Sequence, residues 1–254
     1  MVFSRKASFL ALFLVLGSLA FSGEKREQVR IQRVKDGDTI EFSDKRTARL
    51  ANINSPEKES PLYKKSLEYL SRYAGRRVEA EFLGYDSTGK RLVTRLYDST
   101  NYINLAIVRE GYASKFLVQQ GEEKAFAEAE RDAIENERGI WKKSKYFGML
   151  EAEIDSIKEE VVIRRVSKRA SKPDSIDLTG CTAKDESTRD FTLPKLFLGR
   201  GQVIRIFSGN AAESQKLQER EFVWTPENIW NNDRDTLYLL DEEGRIVLQK
   251  DYGY

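Results

Sequence analysis

The stretch that decides the reading is Arg33–Phe42, RVKDGDTIEF. Apolar and polar residues alternate on both sides of Asp36-Gly37-Asp38, and period-two alternation broken by Asp-Gly is the signature of two antiparallel strands joined by a tight turn, ordinarily of type I′. Two carboxylates flanking a glycine are also the start of a cation site, since hard divalent ions take carboxylate oxygens. Such a tripeptide alone is more often a turn than a site, so the surrounding sequence has to decide.

Working outward, QVRIQRV, DTIEF and RTARLANI, separated by KDGD and SDK, read as a meander of short strands. SPEKESPLYKKSLEYLSRYAG follows, beginning with turn residues, carrying Tyr63, Leu67, Leu70 and Tyr73 at near-helical spacing and stopping at Gly75. Two more strands, RRVEAEFLGYD and RLVTRLYDS, surround a DSTGK turn. A short helix INLAIVREG and a longer one, GEEKAFAEAERDAIENERGIW, come next, the latter with a stripe of Ala125, Phe126, Ala129, Ala133 and Ile134. Phe126 and Trp141 are expected in the core. Five strands with helices inserted late is the order of a small closed α+β barrel of the OB type.

The 254 residues suit two domains, and 40% hydrophobic with 33% charged residues is a globular balance. A net charge of +2 made of many charges of both signs neither demands nor excludes a polyanionic partner. There is no histidine and one cysteine, Cys181. That removes Ser-His-Asp and Cys-His nucleophilic sites, Cys/His zinc sites and intrachain disulfides. Carboxylates, Lys, Arg, Tyr and an oxygen-ligated hard cation remain, an inventory suited to Ca²⁺ or Mg²⁺ chemistry on a phosphate ester. At the N-terminus, MVFSRKASFLALFLVLGSLAFSG places two cations before an apolar run too short to span a bilayer, so residues 1–22 are expected to be a signal peptide. The mature protein is then expected to be secreted, periplasmic or extracellular, without stable membrane insertion.

With DGDT, RLANINSPE, DSTGKRLVTRLY, NLAIVREGYA and the closing ERGIW in order, the chain resembles the staphylococcal nuclease, or thermonuclease, family over about Val29–Trp141, a domain assigned to residues 26–146. The resemblance implies an endonuclease that hydrolyses DNA and RNA with one Ca²⁺. It assigns Asp38 to the metal with Asp36 behind it, Arg49 to the scissile phosphate, Asn54 and the Ser55 carbonyl to the metal, Glu57 to the attacking water and Lys90 to phosphate. Independently, a guanidinium offers phosphate a bidentate fork, and a glutamate serves as base where histidine is missing. Asn54 stands where the family usually has an aspartate, which should weaken metal binding, and Lys90 stands for an arginine. Strand alternation would point Arg91 to the face opposite Lys90. Thr88 and Leu117 replace base-stacking tyrosines, leaving Tyr85 or Tyr112 for that task. Lys64, Lys65, Arg76 and Arg77 read as solvated faces.

Residues 147–160, polar and helix-favouring, are expected to form a helical linker. Beyond it, EVVIRRVSK, SIDLTGCTAKD, DFTLPK, GQVIRIFSG, DTLYLLDEEG and RIVLQKDY are short strands, which reads as a β-sandwich. IDLTGCTAKD, FTLP and IWNNDRDTLYLLDEEGRIV make residues 161–254 resemble the lamin-tail domain, an immunoglobulin-like sandwich, which implies an accessory binding module. Cys181 is expected to be a buried, unreactive thiol. The competing readings are a weakened nuclease fold that binds nucleic acid or an envelope component without cutting, and a purely structural envelope protein.

Overall fold

The computed structural model describes residues 25–58, 60, 62–166, 173–187, 189–214 and 217–254. The expected signal peptide lies outside the described residues. In the N-terminal half the elements are β1 (Glu27–Asp36), β2 (Thr39–Phe42), β3 (Thr47–Leu50), β4 (Ile53–Asn54), α1 (Tyr63–Ser71), β5 (Arg77–Tyr85), β6 (Leu92–Asp98), β7 (Asn101–Tyr102), α2 (Ile103–Arg109), β8 (Ser114–Lys115) and α3 (Glu123–Glu135). β1 pairs antiparallel with β2 and β5, β2 with β3, and β5 with β6. A parallel pairing of β3 with β6 then closes the ring, so β1, β2, β3, β6 and β5 form a five-stranded OB-type barrel.

The alternation seen in the sequence is what fills this barrel. Val29, Ile31, Ile40, Ala48, Leu50, Val78, Ala80 and Leu96 point inward, and the helices cover it with Leu70, Ile103, Ile107, Phe126 and Ala129. Burying such side chains contributes roughly 1.5–3 kcal/mol each, enough for a chain without disulfides to hold its shape.

The C-terminal half contains β9 (Leu150–Asp155), β10 (Glu160–Arg165), β11 (Ser175–Asp177), β12 (Thr182–Lys184), β13 (Asp190–Thr192), β14 (Phe197–Gly199), β15 (Val203–Ser208), α4 (Gly209–Ser214), β16 (Glu221–Thr225), β17 (Asp235–Leu240) and β18 (Ile246–Tyr252). They build two four-stranded sheets, β16-β15-β10-β9 and β13-β12-β17-β18, plus the pair β11-β14. Both large sheets contribute to one apolar cluster that includes Val161, Ile163, Ile204, Leu237, Leu239 and Cys181. Asp241 and Gly244 make the β17–β18 turn, as the sequence suggests, with Gly244 N donating to Asp241 O at 2.8 Å.

One expectation is corrected. Residues 147–160 are not a helical linker, because they hold β9 and the turn into β10, paired Leu150↔Arg165 through Asp155↔Glu160. The glutamates and alanine of LEAEID favour a helix locally, but Leu150 and Ala152 are buried while Glu151 and Glu153 are exposed. That period-two burial wins over propensity. No helix among the described residues is long and apolar enough to cross a membrane.

The two halves meet closely. Ala133, Ile134, Ile140 and Trp141 pack with Tyr238 and Ile246 in a third apolar cluster, where the Trp141 and Tyr238 rings stack at 5.6 Å. Backbone pairing crosses the junction as well, with Ile246 N donating to Lys142 O at 2.7 Å and Ser144 N to Ile246 O at 2.9 Å.

Candidate active site

The turn between β1 and β2 consists of Gly37 and Asp38, between the paired residues Asp36 and Thr39. Gly37 does not adopt a positive φ, so the turn is not the type I′ expected of Asp-Gly. The glycine is there for room: a Cβ on Gly37 would lie 2.7 Å from Ser55 Cβ and 2.8 Å from Ser66 Cβ. The missing side chain lets the turn press against the loop after β4 and against α1, which carries Asp38 into the site.

Asp38 is buried, and each carboxylate oxygen has a separate task. Oδ1 accepts the Thr39 hydroxyl at 2.8 Å, while Oδ2 accepts Arg49 Nη1 at 2.6 Å and Ser55 N at 3.3 Å. Its backbone is fixed by Leu50 N donating to Asp38 O at 2.8 Å. Arg49 lies across the ladder from Thr39 at the end of β3, and its Nη2 donates to Ile53 O and to Asn54 Oδ1, both at 3.1 Å. The Phe116 ring lies 5.6 Å from the guanidinium. Asp38 Oδ2 and Asn54 Oδ1 therefore converge on one guanidinium, with Ser55 beside them.

Asp36 is half-buried next door, its Oδ1 accepting Gly37 N at 2.7 Å. Burial pushes its carboxyl up, reinforced by the Asp38 charge and opposed by the Gly37 N–H, Lys58 and Arg49. Glu57 is exposed on the following loop, and its carboxylate makes no hydrogen bond or ion pair to any described residue. Lys90 is exposed as well; its backbone N bonds Asp86 Oδ1 at 3.2 Å, and its ammonium pairs with no described residue.

The cation that reaches the site from this turn is its neighbour. Arg91 Nε donates to Asp86 Oδ2 at 2.7 Å, and Nη1 reaches the Thr39 hydroxyl at 3.4 Å. The reason is register: Leu92 opens β6 opposite Ala48, so the residue before it sits at the barrel mouth beside β2 and β3. The Thr88 hydroxyl and Arg91 itself hold the Asp86 carboxyl well below the usual carboxylate range, which keeps this anchor ionised. Strand alternation could not see this, because Arg91 precedes the strand. Two guanidiniums thus flank the Asp38 carboxylate, Arg49 directly and Arg91 through the Thr39 hydroxyl. Among the tyrosines, Tyr85 is exposed at the end of β5, whereas Tyr112 is stacked on Tyr69 at 4.8 Å.

Sequence reasoning also missed β8. It pairs with β4 as Ile53↔Lys115 and Asn54↔Ser114, with the Ser114 hydroxyl donating to Asn54 O at 3.2 Å. A two-residue strand carries too short a pattern to be recognised. The atoms that accept from the Arg49 guanidinium are all oxygens, one carboxylate and one side-chain amide among them, and this fits a hard divalent cation in kind. They supply little charge: no group of three His, Cys, Asp or Glu side chains that could hold a metal ion occurs among the described residues.

The family model for staphylococcal nuclease homologues matches residues 47–143, a span from β3 past α3 that contains Arg49, Asn54, Ser55, Glu57 and Lys90. Two proteins named as uncharacterized endonucleases, from Escherichia coli O157:H7 and Escherichia coli, are each 34% identical over 118 residues, covering 44% of this chain and 75% of the relative. A third of the same name, from Haemophilus influenzae, is 27% identical over 143 residues, covering 54% of this chain and 79% of the relative. On these grounds, the barrel and the residues gathered at its mouth make the chain a member of the staphylococcal nuclease homologue family.

Proposed function

We propose that the protein is a metal-dependent endonuclease that hydrolyses phosphodiester bonds of DNA or RNA outside the cytoplasm. The observation that carries this reading is the convergence of Asp38 and Asn54 on Arg49, with Ser55 N donating to the same Asp38 carboxylate and Arg91 on its far side. In the reaction Arg49 and Arg91 bind the non-bridging phosphate oxygens and neutralise the charge that grows as phosphorus becomes five-coordinate. Glu57, free of any cationic partner among the described residues and open to solvent, takes the proton of the attacking water. The Phe116 ring, 5.6 Å from the Arg49 guanidinium, gives that cation an aromatic neighbour. Asp38, Asn54 and the Ser55 carbonyl, with Asp36 behind them, would hold the cation, Ca²⁺ by resemblance; such an ion, when bound, polarises a phosphoryl oxygen. Exposed Tyr85 is available to stack a base.

The C-terminal half is, on this reading, an immunoglobulin-like module of the lamin-tail type. Its two four-stranded sheets, the Asp241–Gly244 hairpin and the Trp230 ring packed edge-on to Trp224 at 5.7 Å support that assignment. The apolar N-terminal run supports export.

A second reading, a nuclease fold that binds nucleic acid without cutting it, is favoured by one observation: the single charged donor, Asp38, is already paired with Arg49 and its neighbour is Asn54. One experiment separates the two. The mature chain is incubated with single- and double-stranded DNA in Ca²⁺, Mg²⁺ or chelator, beside Glu57→Gln. Metal-dependent cleavage that disappears in the variant is the expected result; binding without cleavage under every metal selects the second reading.

A further inference from the structure

β8 faces two ways. Toward the nuclease site, Ser114 bonds Asn54 O, Phe116 N donates to Asn52 O at 2.9 Å, and the Phe116 ring lies beside Arg49. In the opposite direction, Lys115 runs into the junction between the two halves, where it and Glu130 are wholly buried. Its Nζ donates to Glu130 Oε2 at 2.9 Å and to the Thr236 hydroxyl, and lies 3.3 Å from Glu186 Oε1 and 4.4 Å from the Tyr254 ring centre. Glu130 grips the residue twice, because its Oε1 also accepts Lys115 N at 2.9 Å and the Tyr238 hydroxyl at 2.8 Å. Glu186 is fixed in turn by Thr236 and by the Tyr254 hydroxyl, both at 2.7 Å. Thr236, Tyr238, Glu186 and Tyr254 all belong to the C-terminal half.

An apolar contact would suffice to dock the halves, and one is present around Trp141 and Ile246. A buried ammonium adds little net stability over such packing, but it tolerates only one geometry, since every partner must stay within bonding distance. The geometry is imposed on a strand whose Ser114 bonds Asn54 O and whose next residue, Phe116, lies beside Arg49. We infer that Lys115 is a positioning residue through which the C-terminal module holds β8 against β4, so that the module is part of the scaffold of the nuclease site. The catalytic half of this inference rests on the proposed nuclease function; the structural half does not.

The test uses the full mature chain and two readouts. In Lys115→Met/Glu130→Gln, which removes the ammonium and one of the two carboxylates paired with it at similar volume, amide exchange at Phe116 and Ser55 should accelerate about tenfold while exchange in β1 and β5 stays as in the wild type. DNA cleavage should lose about tenfold in kcat with KM within about twofold, because what is disturbed is the alignment of reacting groups and not the docking of substrate. Arg234→Ala, which cuts the rim ion pair to Glu123 at the same junction, should leave both readouts unchanged. Should the double variant fail to fold, Thr236→Val, which removes one bond to Nζ and leaves the charges paired, should still raise exchange at Phe116 several-fold. Wild-type exchange at Phe116 and Ser55 in whichever of these variants is folded overturns the inference. If the wild-type chain cuts no DNA, the nuclease reading fails and exchange alone still decides the role of Lys115.

Discussion

Arg49 Nη1 lies 2.6 Å from Asp38 Oδ2, so the cation that would meet the phosphate and the carboxylate that would meet the metal are each other's partner. Arg49 serves three acceptors, Asp38 Oδ2, Ile53 O and Asn54 Oδ1, from two nitrogens of one planar fork. A lysine has no such fork. Arg49→Lys should lower kcat/KM on single-stranded DNA about a hundredfold or more. Arg49→Ala should in addition destabilise the fold by about 1–3 kcal/mol, read by urea titration, because it strands a buried carboxylate.

Gly37 carries the second prediction. With Ser55 Cβ and Ser66 Cβ less than 3 Å from where its own Cβ would be, Gly37→Ala must push the loop or α1 away, at about 1–3 kcal/mol. Gly75→Ala is the control: its φ is +78° and nothing lies within 4 Å, so it pays only the backbone term of about 1 kcal/mol. Only Gly37→Ala should also depress cleavage, since it moves Asp38.

How much of this was legible in the sequence differs residue by residue. The five-stranded barrel was, because its strands alternate cleanly and its turns carry Gly and Asp. The DGD turn was recognised for an incomplete reason: Asp-Gly suggests a backbone conformation, whereas Gly37 answers to two serines, one 18 and one 29 positions downstream, that only the fold brings near. β9 was hidden because Glu and Ala carry helix propensity while its burial pattern spans six residues. Phe116, Ser114 and Lys115 were invisible, since a two-residue strand has no period to detect and a buried lysine looks like any surface lysine until its partners are known.

Asn54 supplies an amide where a carboxylate would add charge. Asn54→Asp should tighten Ca²⁺ binding about tenfold or more, measured by calorimetry on the free protein, because ligand charge is a main control of affinity for this ion. The new carboxylate would also face Arg49 Nη2, now 3.1 Å from Asn54 Oδ1, so the apo protein should not be destabilised. An unchanged affinity would remove Asn54 from the set of metal-holding residues.

Asp235, at the start of β17, gives a pH dependence. Burial pushes its carboxyl from an ordinary 3.8 to about 6, aided by repulsion from Glu186 and Asp185 and opposed by N–H bonds from Thr236 and Asn231. Between about pH 4 and 6 the folded state keeps this proton and the unfolded state does not, so the contribution of Asp235 to stability falls as pH rises through that window and is constant above it. The fall amounts to about 2–3 kcal/mol. Asp235→Asn should be less stable overall, since an amide cannot accept all the N–H bonds at this site, but its stability measured against the wild type should improve from pH 4 to pH 6 by about that amount.

Arg91 and Lys90 set a contest that one pair of variants resolves. Lys90 is the cation that the sequence resemblance would assign to phosphate, but its ammonium has no partner among the described residues. Arg91 is anchored by Asp86 at 2.7 Å and extends to Thr39 at 3.4 Å, whose hydroxyl donates to Asp38 Oδ1. A cation that is already oriented loses less freedom on meeting phosphate than a solvated one, so the fixed arginine contributes more to the transition state. Arg91→Ala should therefore reduce kcat about a hundredfold, and Lys90→Ala should raise KM by no more than about fivefold while sparing kcat. Asp86→Asn, which loosens the anchor without touching either cation, should resemble a mild Arg91→Ala. The reverse ranking, with Lys90→Ala the more damaging of the two, would mean that Lys90 swings into the site when substrate binds and that the contact between Arg91 and Thr39 only braces the turn.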